Sequence, residues 1–245
     1  YQKNIRIVQR QFMKNLALGF VSLRPAQLQE HVCDARENEY LICLKQLERV
    51  LPKSFDFLVC ENTIDDPAEI KNEELREYLS NTEMCATGSE SNIGTSNKGM
   101  GELLQLKTAL DQTDIDKYEN ICYVTARRFY TCPYVFERTE TLKKKALLSN
   151  PDFIFLDGRV LESYKGPLYN DMFFSMKSKY MVEYAEYSME QLNTNLSKQI
   201  GSEYNLYNFV QKNNIDYEWI EWLGIIRNAW EINGNTSDLS NFHIS

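Results

Sequence analysis

The stretch Ser91 to Leu110, SNIGTSNKGMGELLQLKTAL, sets three glycines and a lysine directly ahead of a helical pattern. Gly94, Gly99 and Gly101 let the backbone turn and approach a ligand closely, and Lys98 adds a positive charge, which together suit a bound anion. A nucleotide P-loop requires Gly, four spacers and then Gly-Lys-Ser/Thr, whereas here Lys98 precedes its glycine, so that reading fails. The same glycines serve equally well as a turn before a helix cap. Other residues fit for chemistry follow short apolar runs: Arg24 after NLALGFVSL, Glu61 and Asn62 after FDFLVC, and the adjacent Arg127 and Arg128 after ICYVTA. Asp157 and Glu162 in LDGRVLE are carboxylates in a position to take a proton, and Asp157 also reads as the start of an Asp-Gly turn. Asp65 and Asp66, the remaining acidic pair, read as a helix N-cap before Pro67.

Several chemistries are poorly served. Histidine is the commonest base of a nucleophilic triad, and only His31 and His243 are available. The first apolar run ends in SLRPAQLQEH with no glycine, which excludes the dinucleotide fingerprint. None of the six cysteines forms a Cys-x-x-Cys pair, so a structural zinc site lacks ligands. Their wide scatter in a chain of this length reads as reduced thiols.

The elements that must position these residues alternate. Asn15 to Arg24 reads as a buried strand stopped by Pro25, and Leu41, Leu44, Leu47, Val50 and Leu51 mark a helix that ends at Pro52. Phe55–Cys60 reads as a strand, AEIKNEELREYLSNT as a helix, EMCATGS as a weaker strand and GMGELLQLKTALDQ as a helix, and Ile121–Thr125 as a strand leading to the two arginines. This alternation predicts an α/β fold with a mostly parallel sheet, whose ligands bind at the carboxyl ends of the strands. After Asn150 the pattern changes. Phe153–Leu156 predicts a strand ending at the Asp157-Gly158 turn. A stretch dense in Met and aromatic residues becomes helical near Lys177, a helix starts at Ser202, and NNIDYEWIEWL suggests a turn and strand.

A chain of 245 residues, 43% hydrophobic and 25% charged, suits one globular domain. A net charge of −8 opposes wrapping nucleic acid, which calls for a basic face. No apolar run reaches the roughly 20 residues of a transmembrane helix, and residues 1–20 do not resemble a signal peptide, so the expected location is cytoplasmic. The expected organisation is a single domain over 1–245. Its parts are about 1–150 and about 151–230, with 231–245 a flexible tail. The oligomeric state is left open.

The order of NLALGFVSLRP, the following helix, FDFLVCENT, NIGTSNKGMGELLQLKTAL, ICYVTARRFYTCPYVFE, NPDFIFLDG and SEYNLYNFVQKNNIDY resembles a GT-A-type glycosyltransferase of surface-glycan biosynthesis, from about Asn15 to Trp230. The resemblance implies a single Rossmann-like domain, with a nucleotide-sugar donor bound by about 1–150 and a glycan acceptor met by about 151–230. It implies that Arg24, Glu61, Asn62, Asn92, Asn97, Lys98 and Gly99 bind the donor. Where that family carries Asp-x-Asp and a divalent cation, this sequence reads VTARRFYT. Arg127 and Arg128 are therefore expected to neutralise the diphosphate themselves, with no cofactor, although manganese or magnesium stays open. Asp157 is the leading acceptor base, and Tyr169, Phe173 and Phe174 are candidate sugar-stacking surfaces. The alternatives are a metal-dependent nucleotidyltransferase and a noncatalytic nucleotide- or glycan-binding module.

Overall fold

The run Lys14–Val21 is buried at every position after the first and forms β1, the strand on which the sheet is built. It lies between β2 (Phe55–Glu61) and β4 (Tyr118–Thr125), parallel to both, and burial on both faces explains why these strands read as continuous apolar runs. The computed structural model describes residues 13–26, 28–86, 97–149, 169, 171–220 and 222–226. Within them β3 (Met84–Ala86) pairs parallel outside β2, and β7 (Phe173–Lys177) pairs antiparallel with both β4 and β6 (Ala146–Ser149). With β8 (Tyr217–Ile220) parallel to β6, the sheet order is β3-β2-β1-β4-β7-β6-β8, mixed but mostly parallel. A small second sheet pairs β5 (Phe129–Tyr130) with β9 (Ile225–Ile226). The expected α/β class is the class found.

Helices cover both faces, and the alternation along each strand decides which. Leu16, Leu18, Phe20, Tyr123 and Phe174 point toward α3 (Lys98–Gln112), α5 (Ser178–Glu190) and α7 (Ser202–Lys212). Ala17, Cys122, Val124 and Phe173 face α4 (Tyr134–Glu140) and the end of α1 (Glu30–Val50). The remaining described α-helices are α2 (Glu73–Ser80) and α6 (Leu192–Lys198). The α1 helix buries Cys33, Glu37, Tyr40, Leu41, Leu44 and Leu47 at helical spacing and stops at Leu51 before Pro52. On the α3 side the rings of Phe20, Tyr123 and Phe174 stack across three adjacent strands, with centroids 4.2 and 4.8 Å apart.

Three sequence expectations change or gain detail. Helical structure does begin where expected, at Ser178, but the five residues before it form β7. Phe173 and Phe174 are consequently core residues on opposite faces of that strand, 0% and 1% exposed, and offer no surface to a sugar. Asp66 accepts from the Ala68 N–H at 2.8 Å and the Glu69 carboxylate accepts from the Asp65 and Asp66 N–H groups, a cap on the short turn Pro67–Glu69. All six cysteines are unpaired. The strand expected at Phe153–Leu156 lies outside the described residues.

Candidate active site at the carboxyl edge of the sheet

From β1 the chain crosses through α1 to β2 on one side, and it later places β4 on the other side of β1. This reversal opens a crevice at the carboxyl ends of β1 and β4, the usual ligand position in such sheets. The segment entering β7 and the N-termini of α3 and α7 arrive at the same edge.

On the β1–β2 side the polar groups are bonded to one another. The Ser22 N–H donates to the Tyr40 hydroxyl at 3.0 Å, the Leu23 N–H to Glu61 Oε2 at 3.2 Å and the Arg24 N–H to Thr63 Oγ1 at 2.8 Å. The other Glu61 oxygen accepts from the Thr63 N–H at 2.5 Å and from the Thr63 hydroxyl. Glu61 is wholly buried, and burial pushes its pKa up to about 7 against the hydrogen bonds that pull it down. The Ser22 hydroxyl donates to Asn62 Oδ1 at 2.8 Å. The Arg24 guanidinium is held by the buried Glu37 carboxylate and by Asp34 at 3.3 Å, and Glu37 also accepts from the Asn72 N–H. Arg24, Glu61 and Asn62, expected to bind the donor, thus have polar groups that tie the β1 and β2 loops to each other and to α1.

The β4 side differs. The strand ends at Thr125, and a turn closed by the Arg128 N–H to the Thr125 carbonyl at 3.2 Å carries both arginines. The pair therefore does not alternate as strand neighbours would. Arg127 Nε lies 3.9 Å from Glu39 Oε2 on α1, with each side chain still partly exposed, whereas Arg128 is 7% exposed.

Facing this turn is the start of α3. Asn97 caps the helix by accepting from the Met100 N–H at 3.2 Å, and its amide donates to the Ile200 carbonyl at 3.0 Å. Lys98 is 73% exposed and sits 3.4 Å from Glu102, which also accepts from the Tyr123 hydroxyl at 3.0 Å. Glu102 is the main cause of the raised Lys98 pKa; Tyr40 and Asp171 add to it, and Arg127 opposes it. Asp171, at the entrance to β7, accepts from the Ser202 hydroxyl at 2.5 Å. Its pKa is pushed up to about 7, first by burial and then by Glu203 and Glu102, against Ser202 and Lys98. Lys98, Glu102, Asp171 and Arg127 thus share one electrostatic cluster.

Gly99 explains why α3 and α7 meet so closely. A Cβ there would lie 2.7 Å from the Ser202 backbone nitrogen and 2.8 Å from its hydroxyl oxygen. Alanine in a helix normally gains about 1 kcal/mol over glycine. Here the contact is largely with backbone, so Gly99→Ala is expected to destabilise by about 1–3 kcal/mol, read as a lower urea midpoint at unchanged slope.

Of the residues expected from sequence, Lys98, Gly99, Asn97 and Arg127 converge with Asp171, while Arg24, Glu61 and Asn62 form the separate buttress. Tyr169 is 5% exposed beneath an aromatic cluster, and Asn92 and Asp157 lie outside the described residues. Asp171 is almost unmarked in the sequence. Its only signal is a carboxylate directly ahead of MFFSMK, hidden while that run is not recognised as a strand. Among the described residues no group of three or more Cys, His, Asp or Glu is arranged to hold a cation. A groove of about 780 Å³ lies at the opposite, amino edge, lined by Met13, Tyr118, Lys177 and neighbours, remote from this cluster.

No protein-family model matches this chain. No curated protein matches it. Among solved structures the fold is similar to that of mouse xyloside xylosyltransferase 1 in its apo form, with a TM-score of 0.49 and 8% sequence identity, covering 85% of this chain and 84% of that one. Among the described residues no helix is long and apolar enough to cross a membrane.

Proposed function

We propose that this chain moves a glycosyl group from a nucleotide-sugar donor to a glycan hydroxyl, and that the turn bearing Arg127 and Arg128 binds the donor diphosphate without a metal ion. The observation that carries the reading is the arginine turn that leaves β4 at its carboxyl end, beside the switch point of the sheet, where Arg127 shares a charge cluster with Lys98. As the bond from the anomeric carbon to the diphosphate oxygen breaks, negative charge collects on the departing phosphate. Forked, permanently charged donors fixed at that position stabilise it more than they stabilise the ground state. Lys98 extends the cationic wall from the α3 side.

The acceptor hydroxyl must lose its proton as it attacks. Asp157 keeps the role expected of it from sequence, and Asp171, a carboxylate of the cluster whose pKa is pushed up to about 7, is suited to share that work, while Glu102 is engaged by Lys98 and Tyr123. If Asp171 is the base, transfer rises with pH through about 7 as it ionises and levels off above that. Asp171→Asn, which keeps an oxygen for the Ser202 hydroxyl, then lowers the rate about a hundredfold and flattens that rise. An unchanged pH–rate profile in the variant removes Asp171 from the chemistry and leaves Asp157. Six unpaired cysteines support the cytoplasm as the compartment.

The test is a thermal-shift screen against nucleoside diphosphates and nucleotide sugars, with and without magnesium or manganese. A ligand at a hundred times its Kd stabilises by about 2.7 kcal/mol, an upward shift of roughly 5–10 °C for a domain of this size. A metal-independent shift with one nucleotide family supports the reading and names the donor. A shift that requires metal overturns metal-free binding by the arginine turn, and no shift with any nucleotide removes the donor site.

A further inference from the structure

Away from the arginine turn, at β8, the last strand of the sheet among the described residues, five aromatic rings form one continuous patch. Tyr169 is its buried floor, with its ring centroid 5.6 Å from Tyr207, 5.6 Å from Tyr217 and 6.1 Å from Trp219. Tyr204 extends it along α7, 6.2 Å from Tyr207, and Tyr217 lies 6.0 Å from Trp219. The sequence dictates this grouping. Residues 204 and 207 are one helical turn apart, and 217 and 219 alternate onto one face of β8. Gln211, the next turn of α7, donates to the Tyr169 hydroxyl at 3.4 Å and fixes the floor. Tyr204 and Trp219 remain 39% and 37% exposed, two of the few large apolar side chains so placed among the described residues.

We propose that Tyr204, Tyr207, Tyr217 and Trp219 form a platform for an extended glycan, on which successive pyranose rings of the acceptor lie before its end reaches the transfer site. The inference rests on the glycosyltransferase reading for the word acceptor and on the patch itself for the word glycan. Two features of the patch select a sugar chain. Its accessible faces are aromatic rather than aliphatic, each ring pairing a flat apolar surface with a polar hydroxyl or indole N–H, which matches a pyranose with its C–H face and equatorial hydroxyls. It also lies at the same edge of the sheet as the candidate site: Tyr169 is two residues before Asp171, and β8, which carries Trp219 in its carboxyl half, runs in the direction of β4 three places along the sheet. The opposite face of β8 is already engaged, since Glu218 accepts from Arg138 at 3.1 Å and from the Lys143 N–H at 2.8 Å.

The experiment titrates the purified full chain with neutral hexasaccharides as probes, cellohexaose, xylohexaose, maltohexaose and chitohexaose, and follows tryptophan fluorescence and calorimetric heat. The corresponding monosaccharides are controls, and sedimentation is run in parallel. At least one hexasaccharide is expected to bind saturably while its monosaccharide does not. Trp219→Ala and Tyr204→Ala each weaken that binding about tenfold, and Trp219→Phe retains most of it. Tyr204→Ala and Trp219→Phe carry the test if Trp219→Ala fails to fold. Absence of binding by all four probes, binding indifferent to the substitutions, or a dimer that Trp219→Ala dissociates overturns the platform. Thermal shifts by nucleoside diphosphates separate the two readings. Nucleotide shifts without hexasaccharide binding overturn the platform alone, and hexasaccharide binding without nucleotide shifts upholds the platform and removes transfer.

Discussion

Arg127→Ala should lower donor turnover by about a hundredfold to a thousandfold, the range typical of removing one fixed donor from a developing oxyanion. The expectation follows from where β4 stops. The strand ends at Thr125, so the next residues leave the sheet as a turn at its carboxyl edge, and they are two arginines instead of carboxylates. Glu39 on α1 lies 3.9 Å from Arg127 Nε, near enough to orient the guanidinium. Arg127→Lys retains the charge but loses the fork, and should recover only part of the rate. Initial rates of nucleoside diphosphate release, with circular dichroism confirming the fold of each variant, provide the measurement. Wild-type rates in Arg127→Ala and in the matching Arg128 variant would leave the turn with no part in the chemistry.

The second large effect concerns stability. Glu61→Leu removes the acceptor for the Leu23 N–H, the Thr63 N–H and the Thr63 hydroxyl in a wholly buried place. Stranded buried donors cost about 1–3 kcal/mol each, so a loss on the order of 4 kcal/mol is expected by urea unfolding. Glu61→Gln, which keeps an oxygen, should lose less. The same carboxyl group gives stability a pH dependence. Its pKa rises from 4.5 to about 7 on folding, so between those values the unfolded chain has released a proton that the folded chain retains. Its contribution is therefore fully present below about 4.5 and lost as pH rises to about 7, amounting to about 3 kcal/mol at most. Asp171 acts in the same direction. Unfolding midpoints across this window should fall less steeply in Glu61→Gln than in the wild type, and parallel curves would contradict the assignment.

The two halves of the sequence differ in how much they reveal. The β1–α1–β2 unit, α3 and β4 were legible because each buried run is bounded by its own stop: Pro25 after β1, Pro52 after α1, and the Asn97 cap before α3. The β7 strand was not legible. Phe173, Phe174, Ser175 and Met176 are all buried, so no alternation marks them, and α5 follows at Ser178 with no intervening turn residue. That missed strand placed Phe173 and Phe174 on an imagined surface and concealed Asp171 at its entrance. Glu61 illustrates a different limit. A carboxylate at the end of a parallel strand looks alike in sequence whether it faces a ligand or three backbone and hydroxyl donors, and only the folded path of residues 22–24 decides between them. The aromatic platform needed the fold as well, because α7 and β8 bring Tyr204 and Trp219 together only through the buried ring of Tyr169.

The most direct test of metal-free transfer by an arginine turn is the release of nucleoside diphosphate from the donor identified by thermal shift, measured with excess chelator in wild type and in Arg127→Ala. The account predicts undiminished release in the chelator and a hundredfold loss or more in the variant. Release abolished by the chelator and restored by manganese or magnesium, with Arg127→Ala as active as wild type, would contradict it.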